Sequence, residues 1–159
     1  MLTKTAFQVL LVAALASSLV NPVHAQDSSS ALRDLAKTDQ PFHSRTCGLV
    51  LLSAGRAMVR EAATNNATSL DSARTRLNNA FLLLRDGRNL QGGMNAPREY
   101  FWQRLSTGTS TSPNNQALPD AVQHCEQWIA QRRQSGDFDQ GSETLESVQM
   151  QTELTIRTE

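Results

Sequence analysis

The sequence predicts a mainly α, single-domain bundle of about four helices, closed by one disulfide and flanked by a polar N-terminal arm and a flexible acidic C-terminal tail. Three observations lead there. Apolar residues recur at spacings of three and four in two long segments and again around residue 125, the period of helices that bury one face. The only two cysteines, Cys47 and Cys125, both fall on such apolar faces. Clusters of Gly, Asn, Pro and Ser lie between the periodic segments, where turns and helix ends need them.

Residues 1–25 read as a secretory signal. Lys4 precedes an apolar run from Phe7 to Val20, and Val23-His24-Ala25 makes a small-residue cleavage site before Gln26. The run is interrupted by Gln8, Ser17 and Ser18 and is shorter than the roughly 20 apolar residues of a membrane span. The expectation is a periplasmic or secreted protein with no transmembrane segment after cleavage. Removing 25 residues from 159 leaves 134, enough for one domain around one core. The whole chain has a formal net charge of +0. Loss of Lys4 shifts it only to about −1, too little to recruit nucleic acid or an anionic membrane through a global field.

Residues 26–43 are expected to form a polar arm with a short helix at Ala31 to Ala36, broken by Pro41. Residues 44–136 form the helical domain. Its first helix opens at Ser44 or Thr46, either of which can accept a hydrogen bond from an orphan backbone N–H. Cys47, Leu51, Ala54, Met58 and Ala62 then share one face. Thr64-Asn65-Asn66 ends it, and Thr68-Ser69-Leu70-Asp71 offers a capping box for a second helix carrying Leu70, Ala73, Leu77, Ala80, Phe81 and Leu84. So short a link favours an antiparallel hairpin. Pro97 suits the first turn of a short helix reaching Leu105. A polar connection from Ser106 to Asn115 leads to the last helix, where Leu118, Val122, Cys125, Trp128 and Ile129 are apolar and Gly136 stops the run.

Residues 137–159 carry Asp137, Asp139, Glu143, Glu146, Glu153 and Glu159 against Arg157 alone. They read as an acidic flexible tail outside the core. Within it Val148, Met150, Leu154 and Ile156 fall on even positions with polar residues between, the period-two signature of a strand.

Two cysteines in an exported chain point to a structural disulfide between Cys47 and Cys125. The competing reading is zinc, because His43 lies four residues before Cys47 and His124 directly precedes Cys125. Two Cys and two His are a known zinc set. Adjacent residues on a helix, however, point about 100° apart, and His43 is expected to precede the helix, so the sequence predicts no metal and no cofactor. Arg56 and Arg60, four residues apart, make either a solvated edge or an anion clamp. Tyr100-Phe101-Trp102 holds three consecutive aromatic residues beside Arg98 and Arg104. These cannot all face one core, so Tyr100, Trp102 and Arg104 are candidates for a contact surface of the kind that anchors interfaces. The even-numbered tail residues could add a strand to a partner's sheet.

No nucleophile paired with histidine, phosphate-binding glycine loop or haem-attachment motif occurs. The sequence therefore favours a periplasmic binding protein of the immunity, inhibitor or chaperone kind, acting by surface contact on another exported or envelope protein, not on nucleic acid. The alternatives are a small enzyme that uses Arg56, Arg60 and Glu99 on an anionic ligand, or a structural accessory of an envelope or secretion machine. Neither oligomeric state nor partner identity follows from the residues.

Overall fold

A computed structural model describes residues 28–64, 69–86, 92–108, 116–138 and 142–159. The secretory signal read in residues 1–25 lies outside the described residues. Among those described, the chain is mainly helical, with six helices: α1 (Ser28–Thr38), α2 (Gln40–Thr64), α3 (Leu70–Asp86), α4 (Asn95–Tyr100), α5 (Pro119–Gln134) and α6 (Ser142–Thr158). No described helix is long and apolar enough to cross a membrane.

The organising element is α2, which packs against all five other helices. It begins earlier than Ser44. Asp39 caps it, accepting a hydrogen bond from the Phe42 N–H at 3.0 Å, and Pro41 sits in the first turn, where its missing N–H costs nothing. A wide apolar surface follows from this central position. Cys47, Val50 and Leu51 are fully buried toward one set of neighbours, and Val59 reaches a second cluster with Ala73 and Leu77.

The pairing of α2 with α3 is antiparallel, because Gly48 lies against Ala80 and Leu84 while Gly55 lies against Leu77. Both contacts are close. A Cβ at Gly48 would stand 2.7 Å from Leu84 Cγ and 3.1 Å from the Ala80 carbonyl oxygen. Gly48→Val should therefore destabilise the fold by about 1–3 kcal/mol through overpacking, read as a lower urea midpoint at unchanged helix content. Ser69 caps α3, its hydroxyl accepting from the Asp71 N–H at 3.2 Å.

Beyond α4 the helix widens into one π-helical turn, Phe101–Leu105. It turns Phe101 and Leu105 into the core and leaves Tyr100 and Trp102 half-buried. A two-stranded antiparallel ladder, β1 (Ser106–Thr107) with β2 (Gln116–Ala117), pairs Ser106 with Ala117 and Thr107 with Gln116. It brings α5 back across α2, where Cys125 bonds Cys47.

Three expectations need correction. The bundle has six helices among the described residues, where the sequence suggests four. The arm has its helix, but α1 is longer than Ala31 to Ala36 and is packed instead of loosely held: Leu32 is fully buried in the main core, and the Ser29 N–H donates to the Asp120 carboxylate at 3.2 Å. The tail is neither flexible over its whole length nor a strand. Residues 142–158 are helical, and Val148, Thr152 and Ile156 form a stripe toward α2 and α3. Spacings of four keep every stripe residue on an even number. The exposed pair Met150 and Leu154 lies across the helix on even numbers too, and the two stripes together imitate a strand's alternation. The charge argument fails for a related reason, since α6 lays its carboxylates on arginines: Glu153 accepts from Arg74 Nε at 2.6 Å, and Glu159 pairs with Arg56 and Arg60.

Candidate functional site

Arg56 and Arg60 are one helical turn apart on α2 and point the same way. Both guanidinium groups close on the carboxylate of Glu159, one on each oxygen. The Glu159 side chain is only 10 % exposed, against 48 % and 41 % for the two arginines. The carboxylate is thus held inside a clamp whose outer edges remain in water. Behind the clamp lies a cavity of about 320 Å³ between α2 and the α4–π segment, walled by Leu49, Leu52, Phe101 and Trp102 and bordered by Ser53 and Arg98. Three cationic groups therefore line a cavity with an apolar back wall, and Arg98 pairs with no carboxylate among the described residues.

A larger groove of about 770 Å³ runs between α2, α3 and α5. Its lining charges balance, Arg60 and Arg76 against Glu61 and Glu126, and Arg76 pairs with Glu126 at 2.6 Å and contacts Met58 Sδ at 2.8 Å. The smaller cavity keeps the cationic excess.

The structure brings together Arg56, Arg60 and Trp102 from the sequence-proposed surface and separates the others. Tyr100 stacks edge-on against Phe42 at 5.8 Å, and burial raises its phenol above the ordinary value despite the Arg104 charge nearby. Neither Tyr100 nor Arg104 lines the cavity. Glu99 is exposed and accepts from the Gln103 amide at 3.0 Å, also away from the cavity. Val148 is buried and Ile156 half-buried, so they serve packing, while Met150 and Leu154 are 69 % and 62 % exposed. Arg98 was named only as a flank of the aromatic run, and Glu159 was missed as a member of the site. No local pattern marks Glu159, which is 99 residues from Arg60 in the chain.

The second cluster surrounds the disulfide. Because α2 starts at Gln40, His43 lies inside it, one turn before Cys47 and on the same face. This corrects the expectation that His43 precedes the helix. From α5, His124 places its Nε2 3.0 Å from His43 Nε2, and Cys47 Sγ is 3.7 Å from His43 Nε2. The His43 ring meets Trp128 edge-on at 4.3 Å. Arg132 lies over both Trp128 and Phe138 and pairs with Asp86, which also accepts from the Ser44 hydroxyl at 2.6 Å. Burial, then the neighbouring His124, then Arg132 push the His43 pKa down to about 3, so its imidazole is neutral at physiological pH. Its Nδ1 is buried without a partner among the described residues.

No protein-family model, curated protein or solved structure matches this chain.

Proposed function

We propose that the protein is an exported binding protein that recognises an acidic side chain, flanked by apolar residues, on another exported or envelope protein. The supporting observation is the Glu159 carboxylate, which already occupies the Arg56–Arg60 clamp, while the same two arginines line a cavity with an apolar wall. It acts as an internal stand-in for the ligand. Charge-assisted bonds from two guanidinium groups select a carboxylate and reject its neutral amide. The Trp102 and Phe101 wall adds the aromatic, partly desolvated surface that carries interface energy. Surface recognition is favoured over catalysis by the lining itself, whose polar groups are guanidinium groups and the Ser53 hydroxyl.

The test compares two peptides, acetyl-Leu-Glu-Phe-amide and its Gln counterpart, titrated while the Arg56 and Arg60 side-chain Nε–Hε signals are followed by NMR. The Glu peptide should bind, and Arg60→Ala should weaken it about tenfold or more, the worth of one charge-assisted hydrogen bond. Glu159→Gln should strengthen binding, because the internal competitor loses its charge. Rising salt should weaken binding. Equal affinity for the two peptides, or no gain from Glu159→Gln, would remove the basis for this reading.

A further inference from the structure

The histidine pair and the disulfide have a geometry that packing alone does not require. His43 and Cys47 share one face of α2, and His124 and Cys125 approach from α5. The nitrogen and sulfur donors of His43, His124 and Cys47 lie within 4.8 Å of one another. A tetrahedral zinc ion with Zn–N near 2.0–2.1 Å and Zn–S near 2.3 Å sets N···N edges of about 3.3 Å and N···S edges of about 3.5 Å. The corresponding distances here are 3.0 Å between the two Nε2 atoms and 3.7 Å from His43 Nε2 to Cys47 Sγ. The fourth donor, Cys125 Sγ, stands outside that group of three and is bonded to Cys47 Sγ, so it has to swing away from Cys47 after reduction to reach the remaining tetrahedral corner.

We propose that reducing the Cys47–Cys125 bond converts this cluster into a zinc site with His43 Nε2, His124 Nε2, Cys47 Sγ and Cys125 Sγ as its ligands. The chain would hold Zn²⁺ in its dithiol form and release it when a disulfide oxidant takes the two electrons of the thiolates, leaving as its own dithiol while the Cys47–Cys125 bond closes. The atoms balance. A dithiol reductant supplies two electrons and two protons, the S–S bond becomes two thiols, and the reductant leaves as its own disulfide. Zn²⁺ then displaces the two thiol protons.

Electrostatics makes the dependence on reduction sharp. Two thiolates and two neutral imidazoles give zinc a centre of zero net charge, which tolerates burial beside Arg132. Binding by the histidines alone, with the disulfide intact, would leave an uncompensated dication next to that guanidinium. The unpartnered His43 Nδ1 sets the limit on affinity. Without an outer hydrogen bond to orient the ring, binding should fall about 10–100-fold short of a fully supported zinc site.

The test uses the full chain, reduced with a phosphine, freed of reductant under anaerobic conditions, and titrated with Co²⁺ and then Zn²⁺. The reduced chain should bind one Co²⁺ with tetrahedral d–d bands and a sulfur-to-cobalt charge-transfer band, and Zn²⁺ should displace it. The oxidised chain should bind at least 100-fold more weakly. His124→Gln should weaken binding by the reduced chain at least tenfold while the far-UV circular dichroism of its metal-free form matches that of the parent. If reduction loosens the helices, zinc should restore their signal. The proposal fails if reduced and oxidised chains bind alike, if His124→Gln binds as the parent does, or if a loosened reduced chain regains no helix with zinc.

Discussion

Replacing both cysteines by alanine, Cys47→Ala with Cys125→Ala, should cost about 4.5 kcal/mol of stability, the chain-entropy value for a closed loop with a sequence separation of 78. That is a large share of the roughly 5–15 kcal/mol that holds a small domain together. Both sulfurs are fully buried in the main core, so the alanines also leave a small void, and the loss should not fall below the entropic value. The bond ties α2, on which the whole bundle packs, to α5, which reaches it only after the ladder of β1 and β2. Urea denaturation should show a lower midpoint together with a steeper slope, because the unlinked chain exposes more surface when it unfolds. An unchanged midpoint would mean that the linkage contributes nothing beyond the packing around it.

Val148→Asp should undock α6. Val148 is 2 % exposed in the main core, and the substitution removes about 1.5–3 kcal/mol of apolar burial while forcing a carboxyl into a site with no cationic partner described beside it. The loss is bounded, since the helix can leave the body instead of burying the charge. Hydrogen exchange should therefore show lost protection across residues 142–158, including the segment where the Thr152 hydroxyl donates to Asn78 at 2.7 Å, with α2 and α3 still protected. A second consequence links the fold to the proposed function. Undocking withdraws Glu159 from Arg56 and Arg60, so the variant should bind the Glu peptide more tightly than the parent chain does. Uniform loss of protection over all helices would show instead that α6 is inseparable from the core.

Much of the architecture was legible in the residues because it is local. The stripe through Cys47, Leu51 and Met58, the capping region at Ser69 and Asp71, and the apolar face ending at Ile129 each fit within one helix, and local period and end chemistry suffice to read them. The disulfide was readable for a different reason, there being only two cysteines to join. The arm misled because Leu32 is its single buried apolar residue among those described, and one such residue carries little periodic signal. The tail misled because a four-residue helical stripe and its exposed counterpart both fall on even numbers. Thr152, 1 % exposed, was invisible as a core residue because its hydroxyl becomes cheap to bury only once Asn78 is there to accept from it.

The candidate sites divide along the same line. Arg56 and Arg60 could be paired from their spacing, as could His43 with Cys47 once α2 is known to begin at Gln40. What fills the clamp could not be read that way, because Glu159 reaches it through the docking of α6, about a hundred residues along the chain. The sequence by itself determined the helical class, the break between α2 and α3 and the covalent link, but not where α2 begins. Tertiary structure alone decided that the acidic segment closes over the arginines and that the two histidines meet at the disulfide. Helical period and capping are set within a few residues, whereas partners for charges and donors are set by which faces come together, and that depends on the packing of the whole chain at once.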